Sequence, residues 1–246
     1  MRLLAVDIGN THITCGIFEK NNLIHNFRMN TNILFWNDLK KIKKYKISNV
    51  YISSVVPYYN DLFTDACKEI FNIKPYIIQH SNSLVPLKID SVEEVGIDRI
   101  CNISFAVKQF CTPMIIVDFG TATTYDVIDK NGNFIGGVIA PGIETSAKNL
   151  FNNAALLTKI KLKLPKTAIG KNTQTNLQSG IMYHAIDALE GMIFRLKQEI
   201  EKPENIKIIL TGGFSKTISP LINIKHELNS DLTLLGILTI FKNTSS

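Results

Sequence analysis

The chain has 246 residues, 45% of them hydrophobic and 20% charged, and carries a formal net charge of +6. That apolar share suffices for a core of ordinary size and excludes a disordered chain, while the length admits one large domain or two modest ones. No apolar run approaches the ~18–20 residues that span a bilayer, and Asp7 interrupts the amino terminus too early for a secretory leader, so a cytoplasmic protein without a membrane partner is expected.

In chain order, an apolar run from Leu3 ends in the turn Asp7-Ile8-Gly9-Asn10-Thr11, a second run leads to the polar turn Glu19-Lys20-Asn21-Asn22, and a third run follows. Apolar periodicity predicts a helix over 35–47, with the lysines of 40–46 on its wet face. Only Arg2, Arg28, Arg99 and Arg195 among the 27 basic residues are arginine. Nucleic-acid readers favour the planar guanidinium, so no nucleic-acid partner is expected. A strand over 50–55, a helix over 58–71, a short strand over 76–78 and a helix over 99–110 follow. A second meander starts at Met114 and turns at Asp118-Phe119-Gly120-Thr121, then at Asp129-Lys130-Asn131-Gly132, which carries the Asn-Gly hairpin signal. Helices are predicted over 142–152 and 173–201, the second with Ile181, Ala185, Leu189, Met192, Ile193, Leu196 and Ile200 on one stripe. Asn172 or Thr173 caps its start and Pro203 follows its end. A strand over 206–210 runs into Thr211-Gly212-Gly213, and a last helix covers 231–241.

The two meanders are copies. An offset of 111 relates Asp7 to Asp118, Gly9 to Gly120 and Asn22 to Asn133, with no insertion between. The order βββαβαβ, given twice, predicts an α/β protein of two lobes, 1–112 and 113–246, with a cleft between related halves.

A turn with glycine at its bend offers backbone N–H groups without a ladder partner, suited to phosphate oxygens. Hydroxyls at Thr11, Thr14, Thr121 and Thr123 add neutral donors, and Asp7 and Asp118 stand at the strand ends. A carboxylate beside a polyphosphate requires a cation between them, and Mg²⁺ suits one or two carboxylates plus phosphates. One such turn is common in hairpins; two at matching places point to a nucleotide's phosphate chain. No P-loop or G-x-G-x-x-G pattern is present. Cys15, Cys67, Cys101 and Cys111 lack metal-ligand spacing and read as buried thiols, and the five histidines are scattered.

Asp7-Ile8-Gly9-Asn10-Thr11, Gly96-Ile97-Asp98-Arg99, Asp118-Phe119-Gly120-Thr121-Ala122-Thr123-Thr124 and Gly136-Gly137-Val138-Ile139-Ala140-Pro141-Gly142 resemble, in order and spacing, the signature motifs of type III pantothenate kinases. Gly170-Lys171-Asn172-Thr173, Gln178-Ser179-Gly180 and Thr211-Gly212-Gly213 extend the resemblance over nearly the whole chain. It implies a duplicated ribonuclease H-like, actin-like ATPase fold and phosphorylation of pantothenate by ATP, the first committed step toward coenzyme A. It also implies a homodimer requiring Mg²⁺ and a monovalent cation, K⁺ or NH₄⁺. On the same basis Asp7, Ile8, Gly9, Asn10, Thr11, His12, Ile13 and Thr14 line the ATP phosphates with Asp7 near Mg²⁺. Thr121 is a further ATP contact and Asp118 the monovalent-cation ligand. Gly96, Ile97, Asp98 and Arg99 bind pantothenate with Thr173, and Asp98 is the catalytic base. Two positions depart from the family pattern: Ile89 stands where a tyrosine is usual, and Ile97 where a small residue is usual.

The chemistry of the residues agrees. A primary hydroxyl is a poor nucleophile, and a carboxylate within hydrogen-bond reach takes its proton during in-line attack. Asp98 opens a predicted helix after glycine, where helix capping is its competing role. Arg99 holds a substrate carboxylate or forms a surface ion pair; Asp118 binds a cation or stabilises its turn. Asp126 reads as a surface acid at a strand end. Two other functions compete: a non-catalytic relative acting as a regulatory binding protein, and a superfamily kinase with another small-molecule acceptor.

Overall fold

The computed structural model describes residues 1–31, 35–154, 156–200 and 205–245. Its strands are β1 (Arg2–Ile8), β2 (His12–Glu19), β3 (Asn22–Asn30), β4 (Asn49–Ser54), β5 (Tyr76–Ile77), β6 (Met114–Phe119), β7 (Ala122–Ile128), β8 (Phe134–Pro141), β9 (Lys207–Gly212) and β10 (Glu227–Leu228). Its α-helices are α1 (Trp36–Ile42), α2 (Pro57–Phe71), α3 (Ile97–Gln109), α4 (Ile143–Asn153), α5 (Thr173–Glu199), α6 (Ser215–Ile218) and α7 (Leu232–Thr244). The predicted end of the long helix at 201, and Pro203 after it, lie outside the described residues. No described helix is long and apolar enough to cross a membrane.

The strands form two five-stranded sheets of equal topology, β3-β2-β1-β4-β5 and β8-β7-β6-β9-β10. In each, the first three strands are antiparallel and the last two run parallel to the central one. Strands β1 and β6 read as unbroken apolar runs because both faces are covered. The edge strand β3 alternates between exposed and half-buried positions. Pro57 starts α2 with a φ suited to a first helical turn, and Asn72 ends it in the left-handed region (φ 59°).

The chain divides into two units, Met1–Phe110 with the segment from Asp231 onward, and Cys111–Ser230. The carboxy-terminal helix, however, groups with the first unit and not with the lobe that precedes it in sequence. Seven of its thirteen residues are buried. A Cβ at Gly236 would strike the carbonyl carbon and oxygen of Cys101, so α7 and α3 touch backbone to backbone. The first core gathers Leu4, Val6, Ile8, Phe35, Leu39 and Phe63, with the Phe35 and Phe63 rings stacked 4.8 Å apart. The second gathers Ile115, Val117, Met182, Leu189, Ile193 and Leu210.

The duplication is real but not free of insertions. The separation is 111 between Asp7 and Asp118, 110 between the bulges at Ile17 and Val127, and 111 again between Leu23 and Phe134. The first D-x-G turn is therefore one residue longer than the second, and the following hairpin one shorter. Both copies extrude an isoleucine at the bulge, Ile24 and Ile135, exposed by 40% and 41%.

Candidate active site

At the end of β1 the chain reverses through Gly9, Asn10 and Thr11. The Gly9 N–H donates to the His12 carbonyl (3.0 Å), so it closes the turn and is not an open donor. Thr31, just past β3, braces the same turn. Its N–H donates to the Thr11 carbonyl (3.1 Å) and its hydroxyl to the Gly9 carbonyl (2.8 Å). The second turn repeats the device: the Gly120 N–H donates to the Ala122 carbonyl (3.0 Å), and the Gly142 N–H (3.1 Å) and Thr145 hydroxyl (2.7 Å) donate to the Thr121 carbonyl. A Cβ at Gly142 would overlap the Gly120 and Thr121 carbonyls, which explains the glycine there. The expectation of unpartnered glycine amides is thus corrected. The exposed tips of the turns are Asn10 and Thr11 in one and Gly120 and Thr121 in the other.

Ile8 and Ile13 are fully buried, so only their backbone can face a ligand. Thr14 lies opposite Asp7 across the β1–β2 ladder, half-buried. The Arg28 guanidinium reaches His12 Nδ1 at 2.9 Å. Arginine only donates, so Nδ1 accepts.

Asp7 is half-buried, and its Oδ1 accepts a hydrogen bond from the hydroxyl of Ser53 (3.0 Å), its register partner on β4. Ser53 is wholly buried. Asp98 lies in the first turn of α3, with its Oδ1 accepting the Arg99 N–H (2.8 Å). This carboxyl folds back over Gly96, where any Cβ would collide with it. Burial pushes Asp98 above the usual carboxylate range, and the Arg99 amide and guanidinium offset only part of that. One turn along, burial also pushes the Cys101 thiol up, and the charges of Asp7 and Asp98 add to it. Ile97 is buried (8% exposed), so its side chain belongs to the interior and not to an open pocket wall; Ile89 is half-buried.

Asp118 ends β6 beside the backbone of Gly212, which has φ +86°. A Cβ there would meet Asp118 Oδ1 and the Phe119 amide, so the late Thr-Gly-Gly exists to let β9 close on this aspartate. Asp126 is not a surface acid; it is fully buried in the middle of β7. Cys111 departs from the expectation too: Cys15, Cys67 and Cys101 are buried and Cys111 is exposed, all four free. Gly136 and Gly137 lie within β8, next to its bulge. No group of three or more His, Cys, Asp or Glu among the described residues can hold a metal ion. The hard carboxylate oxygens of Asp7 and Asp118 therefore fit a cation that keeps water and phosphate as its other ligands.

Thr173 is the exposed first residue of α5. Asn172 is the cap: its Oδ1 accepts the Thr175 N–H (2.9 Å), while the Thr175 hydroxyl accepts the Asn172 N–H (3.2 Å). Gln178 and Ser179, buried on α5, tie down the preceding loop through the carbonyls of Lys161 and Ala168. An apolar cavity of about 430 Å³ lies between β7, β8, α4 and α5, lined by Tyr125, Ile143, Leu150, Leu177, Ile181 and His184 among others.

Sequence reasoning missed Ser53, Thr31 and Thr145. The only trace of Ser53 is a hydroxyl residue inside the buried run of β4, where polar side chains are uncommon.

The model of the family described as type III pantothenate kinase matches residues 3–195. The chain is 35% identical to a type III pantothenate kinase of Syntrophus aciditrophicus, covering 99% of this chain and 100% of that one. It is 37% identical to one of a Sulfurihydrogenibium species, covering 96% and 97%. Among solved structures, a protein described as a conserved putative Baf family transcriptional activator from Campylobacter jejuni superposes with a TM-score of 0.65 at 19% identity, covering 98% of each chain. Component A of the (R)-2-hydroxyglutaryl-CoA dehydratase of Acidaminococcus fermentans superposes at 0.56 with 10% identity over the full length of both. These two likenesses show the fold, that of the actin-like ATPases.

The raised proton affinity of Asp98 makes its ionised form a cost to the folded state. That cost is absent below the ordinary aspartate pKa of ~3.9 and grows as the pH rises through the folded value. Asp98→Asn is therefore expected to be more stable than the parent near pH 7, the gap closing as the pH falls toward about 4. Denaturant melts at the two pH values measure it; a variant no more stable near neutrality contradicts the electrostatic account.

Proposed function

The chain belongs to the type III pantothenate kinase family, and on that premise we propose how its residues divide the work. The reaction is transfer of the γ-phosphoryl group of ATP to pantothenate, the first step of coenzyme A biosynthesis. Asp98 is the general base. The observation that carries this is its placement: a carboxyl of raised proton affinity in the first turn of α3, folded back over Gly96. Its carboxylate accepts the proton of the pantothenate hydroxyl as that oxygen attacks phosphorus. Arg99 pairs with the pantothenate carboxylate, Gly96 leaves room for Asp98 to fold back, and Ile97 supports them from the interior. Thr173 is a second pantothenate contact.

Residues Asp7 to Thr14 contact the ATP phosphates through the exposed tip of their turn. Thr121 is a further contact. Mg²⁺, held by Asp7 with phosphate oxygens and water, neutralises charge on the transferring group. Asp118 takes a monovalent cation, K⁺ or NH₄⁺, its rigid seat against Gly212 supporting that role. A homodimer is supported by large apolar side chains left in water on β8, α4 and α5: Ile139 (66% exposed), Leu150 (42%) and Phe194 (65%). The setting is the cytoplasm, where ATP and Mg²⁺ are supplied.

A coupled assay with pantothenate, Mg²⁺-ATP and either KCl or NaCl tests the whole. ADP release that requires pantothenate is expected; release indifferent to it points to another acceptor, and none at all to a binding protein. Asp98→Asn is expected to lower kcat at least ~10²-fold, the scale of a lost general base; near-normal turnover returns Asp98 to helix capping. Asp118→Ala should abolish stimulation by K⁺, and a retained response removes it as the cation ligand. Sedimentation equilibrium is expected to give twice the chain mass for the parent and a lower mass for Phe194→Lys; a monomeric parent rules the dimer out.

A further inference from the structure

We propose that Ser53 is a buried hydrogen-bonded prop that sets the orientation of the Asp7 carboxylate. The proposal deepens the assignment of Asp7 to the Mg²⁺–phosphate end of the site and rests on it.

Two observations carry it. Ser53 has no exposed surface, and its only hydroxyl hydrogen is given to Asp7 Oδ1 at 3.0 Å.

The duplication supports a role tied to the aspartate. In the second sheet Thr211 occupies the register position beside Asp118 that Ser53 occupies beside Asp7, and it too is buried, at 1% exposure. A hydroxyl in the middle of a sheet is costly without a purpose. Both copies have one at the same place.

Isothermal titration of the purified protein with Mg²⁺-AMP-PNP, a non-hydrolysable ATP analogue, tests this without turnover. Ser53→Ala is expected to weaken binding about 10-fold or more, in the range seen when partners behind a metal-binding group are removed. Ser53→Thr, which keeps the hydroxyl and suits a strand, should restore it, and thermal melts should show both variants folded. In an Asp7→Asn background, Ser53→Ala should add almost nothing, because its effect passes through Asp7. If Asp7→Asn itself leaves binding unchanged, the assignment of Asp7 falls and the prop falls with it. If Asp7→Asn weakens binding while Ser53→Ala does not, the prop alone is overturned. An equal loss from Ser53→Ala with and without Asp7 also overturns it, since Ser53 would then act by another route.

Discussion

A carboxylate at the end of a buried strand persists only where hydrogen bonds replace the water it has lost. The structure around Asp7 answers that constraint with Ser53, and the answer depends on topology. Because β4 runs parallel to β1 and in register with it, the residue beside Asp7 comes from a segment more than forty positions away. The crossover through α1 that makes the strands parallel is what places a hydroxyl there. The carboxyl ends of parallel strands are where open α/β sheets gather their ligands. Asp7, Ser53 and the start of α3 gather at one such end.

The second sheet meets the same constraint differently. Asp118 also has a hydroxyl residue beside it, Thr211, but the following position is Gly212, whose backbone closes directly on the carboxylate. In the first sheet that position is Ser54. Two aspartates of common origin thus have unlike surroundings. The turns diverge too: the first, one residue longer, carries His12 and Arg28, while the second is pinned by the start of α4 through Gly142 and Thr145.

Asp98 depends on less. A helix start, a glycine before it and the burial of its first turn together raise its proton affinity. The same first turn holds Arg99, whose charge prevents the shift from growing further. A carboxyl that is neither fully exposed nor paired away is the outcome of that balance.

The amino-acid sequence by itself determined the repeat, the order of strands and helices, and the positions of Asp7, Asp98 and Asp118, because these follow from hydrophobic period and from glycine next to acid, which are local signals. Only the tertiary structure decided which residues serve them. Asp126 read as a surface acid because its own segment looks like a strand end, yet strands on both sides enclose it. The one-residue slip inside the repeat was invisible because two opposite changes cancel over the distance at which the copies were matched. The carboxy-terminal helix joined the first unit through Gly236, a contact with no local signature. Ser53 and Thr31 stayed hidden for the same reason: hydrogen bonds between residues far apart in sequence are set by strand register, which is not written in the neighbourhood of the residues that make them.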